Sequence, residues 1–215
     1  MEFTFGYKRD ANGTPKIMLH HTSMPYSDAE PAAPLLTQTV VTNYLSYSDL
    51  PITDDEIASL QASWGQGIKD ISAAYLAEQD FTQVALDVAN ALYGYGHSNV
   101  LFKPTKAAEH PFRPTATGAL SYFIGGANVD GGFSEDGGFA HNGGLGWSEV
   151  RFENVKNSLH GSVALSMGHY VFTQATGDNA GSEATVEFTF GYKRDQEGVA
   201  RIFIHHSSKP YESKI

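Results

Sequence analysis

The apolar positions of this chain follow two different periods, and the change comes near residue 97. Before it, Ile57, Leu60, Trp64, Ile68, Ile71 and Tyr75 recur at gaps of 3, 4, 4, 3 and 4. That spacing predicts a long amphipathic helix with one apolar stripe. Thr53-Asp54-Asp55-Glu56 opens it: Thr53 caps, Glu56 closes a capping box, and the acids suit the positive end of the helix dipole. Gly65 and Gly67 each cost the helix about 1 kcal/mol but allow close packing against a sheet. Phe81, Val84, Ala85, Val88 and Leu92 predict a second, shorter helix after a break at Gln79-Asp80. Both stripes read as core.

From residue 97 the pattern becomes extended. Residues 97–105 read as an extended segment ended by Pro104, and 116–126 fit a short helix or a strand equally. Residues 125–146 hold nine glycines in 22 positions and read as a loop or lid without regular structure. The remainder alternates with period two over 147–155, 161–175, 184–195 and 200–208. Turn residues punctuate it at Lys156-Asn157, Gly177-Asp178-Asn179 and Gln196-Glu197-Gly198. Helices first and an antiparallel meander after them predict an α+β fold, with the helices on one face of a curved, cone-shaped sheet that encloses a pocket.

The chain also repeats itself. EFTFGYKRD stands at 2–10 and again at 187–195, and IMLHHTSMPY (17–26) lies over IFIHHSSKPY (202–211) at the same offset of 185. Over positions 2–26, 16 of 25 residues are identical. That offset is the length of a domain, far beyond the repeat of a solenoid. Residues 1–26 therefore read as the last two strands of a preceding copy, 27–36 with its two prolines as a linker, and 37–215 as one complete domain. Two explanations remain open: a piece of a tandem array, or a native duplicated hairpin that adds strands to its own or a neighbouring sheet.

Composition narrows the function. Of 215 residues, 41% are hydrophobic and 18% charged, a globular balance, and the formal net charge is −10. An acidic surface argues against nucleic acid or an anionic membrane as partner. No run of 18 apolar residues is present, and the opening Met-Glu-Phe-Thr-Phe-Gly has no basic start leading into an apolar stretch, so neither a membrane span nor a secretory signal is expected. The absence of cysteine excludes disulfides and thiolate metal sites.

The chemistry must then come from histidines, hydroxyls and carboxylates. The nine histidines are scattered; the only adjacent ones are His205-His206 and their copy His20-His21, and neighbouring strand residues point to opposite faces, so neither pair can share a metal. The glycine-rich segment lacks a Walker lysine and its acids miss EF-hand spacing. The last strand is more informative. By simple alternation Phe203, His205 and Ser207 share one face and Ile204, His206 and Ser208 the other. A histidine beside a hydroxyl at the end of a pocket strand can orient a ligand or move a proton, though a satisfied polar pair at a sheet edge fits the same residues.

Four segments together, LFKPTKAAEHPFRPT (101–115), ALSYFIGG (119–126), EFTFGYKRD (187–195) and HHSSKPY (205–211), resemble the iota-class carbonic anhydrases. These share the nuclear-transport-factor-2-like (SnoaL-like) fold of the calcium/calmodulin-dependent kinase association domain. The resemblance implies reversible hydration of carbon dioxide to bicarbonate, without metal in some members and with manganese described in others; zinc is the further alternative. It implies catalytic residues Thr105, Tyr122, His205 and Ser207, with His206 and Ser208 as the alternative pair, and His205 as base or proton shuttle. An apolar recess for carbon dioxide is expected at Phe102, Phe123 and Phe203. Carbon dioxide and bicarbonate are the expected partners, a homodimer the expected form, and a chloroplast the expected location, since tandem copies occur in algal members. Two other classes compete: a non-catalytic oligomerisation module, and a SnoaL-like isomerase or cyclase. The last needs an inward carboxylate base, and Glu149 and Glu187 are expected to face outward.

Overall fold

The computed structural model describes residues 1–25 and 50–211; the expected linker at 27–36 lies outside the described residues. Strands β1 (Glu2–Arg9) and β2 (Pro15–Ser23) form an antiparallel hairpin. Helices α1 (Asp54–Leu76) and α2 (Phe81–Leu92) follow, then the short strand β3 (Leu101–Lys103) and helix α3 (Ala116–Ile124). Four long strands complete the chain: β4 (Trp147–His160), β5 (Val163–Gln174), β6 (Glu183–Arg194) and β7 (Ala200–Ser208).

The helix signals act largely as their chemistry requires. Thr53 Oγ1 accepts the Glu56 amide at 3.2 Å and Asp80 Oδ1 accepts the Gln83 amide at 3.0 Å, so both N-termini are capped. Glu56 does not close the expected capping box. Its two carboxylate oxygens take Arg194 Nη1 and Nη2, each at 2.7 Å, because a bidentate guanidinium from β6 outcompetes one backbone amide. Gly65 lets α1 approach β4: an added Cβ would meet the Val150 carbonyl at 3.2 Å. Gly67 serves a second helix rather than the sheet, since its added Cβ would strike Val88 of α2 at 2.6 Å. The segment left open between helix and strand is helical. Thr115 caps it at 3.1 Å and Gly125, at φ +92°, stops it.

The sheet runs β3-β7-β6-β5-β4, antiparallel except for β3 against β7. The helices cover one face, where Trp64 of α1 stacks on Tyr170 of β5 with ring centroids 5.4 Å apart. This is the expected α+β arrangement of a curved antiparallel sheet with its helical layer on one side. The glycine-rich stretch carries only two short 3-10 turns, Gly126–Asn128 and Phe139–Gly144. It is packed down by buried Arg113, which donates to Asp136 at 2.7 Å and Glu135 at 3.2 Å. The hairpin β1-β2 lies across the opposite, outer face of β6 and β7.

One bulge alters the reading of β7. Gly191 pairs with Ile204 but Tyr192 pairs with Ile202, which leaves Phe203 as the extra residue. Simple alternation therefore breaks at that point. Ile202 and His205 face the helices, while Phe203 joins Leu165 and Ile204 on the outside, with the Lys193 ammonium 5.2 Å from its ring. Phe203 does not share a face with His205 and Ser207.

Candidate active site

β7 carries His205 and Ser207 inward, beside β3 on one side and β6 on the other. Thr105 follows β3 after Pro104, whose ring ends the strand and turns the chain toward the sheet. Tyr122 comes from the middle of α3. Glu135 secures this corner by accepting the amides of Ala108, Glu109 and His110 at 2.8 to 2.9 Å. Burial alone would raise the Glu135 pKa, but those three amides and Arg113 hold it below the usual value. The loop after Thr105 is thus anchored to the glycine-rich segment.

Four of the expected residues come together. Thr105 Oγ1 donates to Ser207 Oγ at 2.9 Å, and the Tyr122 hydroxyl lies within hydrogen-bonding reach of Thr105. All four, Thr105, Tyr122, His205 and Ser207, are buried. His206 and Ser208 are on the outer face under the hairpin, so the choice between the two histidine and serine pairs is geometric: only His205 and Ser207 point toward Thr105 and Tyr122.

Three residues that sequence reasoning passed over complete the network. Tyr93, just past α2, places its hydroxyl 2.7 Å from His205 Nδ1 and receives the Trp64 indole N–H at 3.0 Å. Tyr170 of β5 sits 3.3 Å from His205 Nε2, and its hydroxyl also reaches Ser207 and Thr105. Trp64 and Tyr170 sit at apolar-stripe and alternating positions that read as core, so only their polar tips mark them.

The inventory of donors assigns a direction to this chain. An indole N–H can only donate, so Trp64 occupies the Tyr93 oxygen and the Tyr93 O–H is left to donate to His205 Nδ1. Neutral His205 then carries its proton on Nε2 and donates to Tyr170. Burial keeps it neutral by pushing its pKa well below the ordinary histidine value. Burial likewise raises Tyr93, Tyr122 and Tyr170 above the ordinary phenol, so all three stay protonated donors.

A cleft of about 280 Å³ opens beside this network. Thr105 reaches it, its apolar walls include Phe139, Trp147, Phe172 and Val186, and Lys106 and Lys209 stand at it as cations. Lys106 has a lowered pKa, first through loss of water and then through the Lys209 charge. The expected recess of Phe102, Phe123 and Phe203 is placed differently. Phe102 and Phe123 stack on each other, and Phe102 stacks on His205 at 4.6 Å, so they back the histidine rather than wall the cleft. Phe203 is on the outer face. Glu149 and Glu187 do not enter the site: Glu149 is exposed, and Glu187 accepts Ser208 Oγ on the outer face.

Among the described residues, no three of the metal-ligating acids and histidines gather where they could hold an ion. His205 has both ring nitrogens occupied by tyrosine hydroxyls, so it does not fit a metal ligand.

Comparison with known proteins gives consistent matches. Residues 55–209 match the family model described as "Metal-independent carbonic anhydrase". A protein of that description from Nostoc sp. is 38% identical over 164 residues, 75% of each chain. The crystal structure of the iota-carbonic anhydrase from a cyanobacterium, complexed with bicarbonate, superposes with a TM-score of 0.68 at 36% identity, covering 76% of this chain and 95% of that one. A nuclear transport factor 2 (NTF2-like) superfamily protein from Salmonella enterica aligns at 13% identity and a TM-score of 0.41, over 74% of this chain and 96% of that one.

Proposed function

Because the chain belongs to the metal-independent carbonic anhydrases, we propose that the hydroxyl network around His205 performs the reversible hydration of carbon dioxide at the inner end of the cleft. The observation that carries this reading is a connected set of buried hydroxyls, Thr105, Tyr122 and Ser207, linked through Tyr170 to one buried, neutral histidine beside an open cleft. Carbon dioxide is apolar and takes the space among Phe139, Phe172 and Val186, with one oxygen toward the hydroxyls. Phenol and serine O–H groups then donate to the oxygens as negative charge develops there, in a site already arranged to receive it.

The fate of the water's proton follows from the same geometry. His205 is neutral, buried and bonded at both nitrogens, so it acts as a donor that aligns Tyr170 and not as the base. A hydroxyl of Thr105 or Ser207 takes the proton from the attacking water and passes its own to a carbon dioxide oxygen. One C–O bond forms, one C=O π bond opens, and carbonic acid results; it ionises to bicarbonate and a proton at the solvent side. No group retains a charge. In this reading no metal takes part, and the working form is a homodimer. Lys106 and Lys209 supply the local positive field for bicarbonate that an acidic chain of net charge −10 otherwise lacks.

The test is stopped-flow carbon dioxide hydration after exhaustive chelation, with metal content measured on the same sample. Activity should persist without stoichiometric metal. Tyr122→Phe and Ser207→Ala should each lower the rate by roughly 10²-fold, the usual cost of one preorganised donor. Wild-type rates in both variants would refute the proposed site.

A further inference from the structure

The cleft beside Thr105 is larger than the hydration reaction needs. Carbon dioxide has three heavy atoms and bicarbonate four, while the cleft measures about 280 Å³. At ~30 Å³ per molecule of liquid water that is room for about nine waters, and a dry cavity of roughly 150 Å³ already binds benzene in another protein. Its length agrees with its volume. Ser207, bonded to Thr105, pairs with Phe188 of β6, and the cleft follows that strand outward past Val186 to Ala184. The stretch of strand from Phe188 to Ala184 spans roughly 13 Å.

The two ends of the cleft differ in chemistry. Near Thr105 stand Lys106 and Lys209, and among the described residues that line the cleft there is no aspartate or glutamate. That end suits an anion. Farther along, Phe139, Trp147 and Phe172 build a wall of rings, with Phe139 and Trp147 each 5.2 Å from Phe172 and 6.1 Å from each other. The wall begins next to the hydroxyl network, because Phe139 stacks on Tyr122 at 5.3 Å. It is also held in place: the Trp147 indole N–H donates to the Phe139 carbonyl at 2.8 Å. Ala184 pairs with Phe172 across β5 and β6, and its single methyl leaves the outer end of the cleft open. A seat for bicarbonate alone uses the cations and the hydroxyls but leaves the ring-lined extension empty.

We propose that the cleft binds a second class of ligand, a monocarboxylate carrying an aromatic ring, with its carboxylate at Thr105 and Lys106 and its ring against Phe139, Trp147 and Phe172. The carboxylate shares the O–C–O group of bicarbonate and takes its seat. The ring takes the apolar space of carbon dioxide, where offset and edge-on contacts with the wall favour it over an aliphatic tail of equal size. Such a ligand inhibits hydration by competition at both ends of the cleft. The place of the carboxylate rests on the bicarbonate reading of this site; the place of the ring rests on the shape and lining of the cleft alone.

Titration calorimetry on the full chain with 3-phenylpropanoate and with acetate tests it. The ring-bearing acid should bind roughly 10²-fold more tightly than acetate, the gain expected from burying a phenyl group and one methylene. Bicarbonate should displace it, and its ring protons should show nuclear Overhauser contacts to the Val186 methyls. Ala184→Trp fills the outer end and should cut the preference for the ring to less than about tenfold, while acetate still binds and reports an intact seat; Ala184→Leu replaces it where the larger side chain prevents folding. Equal affinity of the wild-type protein for the two acids overturns the proposal. So does a complex that bicarbonate does not displace, or a preference undiminished by filling at Ala184. Hydration is measured separately on the same protein. Ring-dependent binding without hydration refutes the catalytic reading and leaves this one standing, whereas hydration with no preference for the ring overturns this one alone.

Discussion

Tyr93 and His205 are joined by a 2.7 Å hydrogen bond whose direction is set one residue further back, by an indole that can only donate. A tryptophan of the helical stripe thereby decides which nitrogen of a strand histidine holds the proton. Fixing His205 as the Nε2–H tautomer turns a group usually read as a base into a fixed donor toward Tyr170.

Removing that control should be measurable. Tyr93→Phe leaves the Trp64 N–H and His205 Nδ1 buried without partners, which costs about 1–3 kcal/mol for each unsatisfied group. We expect a lowered Tm and a hydration rate down by about tenfold at a temperature where the fold persists, equivalent to ~1.4 kcal/mol. An unchanged rate would show that the tautomer has no part in the reaction.

The histidine itself should not titrate. Burial lowers its pKa well below the ordinary value, so the His205 ring nitrogens should keep the Nε2–H pattern in a nitrogen-15 correlation spectrum from about pH 8 to about pH 5. Protonation midway through that range would restore His205 as a base.

Lys106 should matter more to the anion than to the gas. Carbon dioxide carries no charge, whereas bicarbonate meets Lys106 at the cleft. Lys106→Ala should weaken product inhibition by bicarbonate about fivefold, or ~1 kcal/mol, while the KM for carbon dioxide changes little. The difference should shrink as salt is raised. Equal inhibition in both proteins would remove Lys106 from the anion site.

Acid should release the hairpin before it unfolds the domain. Burial, with the Lys103 charge second, lowers His21 to about 4; burial, with His21, Lys103 and His205, lowers His206 to about 2. Glu2 and Glu187 flank the pair, accepting from Ser23 and Ser208. Both histidines bind fewer protons docked than free, so docking is fully favoured above about pH 6.5 and weakens as pH falls toward about 4. Trypsin is poor in acid, so exchange of hairpin amides followed by mass spectrometry is the suitable measurement. Protection of residues 2–23 should fall across that window ahead of β5 and β6. Simultaneous loss would contradict the separate docking of the hairpin.

Much of this was legible in the chain. The 3.6-residue stripe of α1, the capping residue Thr53, and the two-residue alternation of β4 to β7 each depend on neighbours a few positions away, and local pattern reports them directly. Thr105, Tyr122, His205 and Ser207 were accessible through motifs that resemble a known family. Phe203 was misplaced because a bulge is invisible to strict alternation; only the pairing of Gly191 and Tyr192 with β7 reveals the extra residue. Tyr93 and Tyr170 escaped because a tyrosine on an apolar stripe looks like core until its hydroxyl has a partner.

By itself, then, the sequence determined the order of elements, the duplication at an offset of 185 and the residue types available for the chemistry, since these are written in local pattern and identity. Tertiary structure alone decided which histidine faces the helical layer, which nitrogen carries its proton and where the copied hairpin lies. Those outcomes depend on strand register and on groups as far apart as Trp64, Tyr93 and His205, or Thr4 and His206. Residues so distant in the chain share a hydrogen bond only once folding has brought them together.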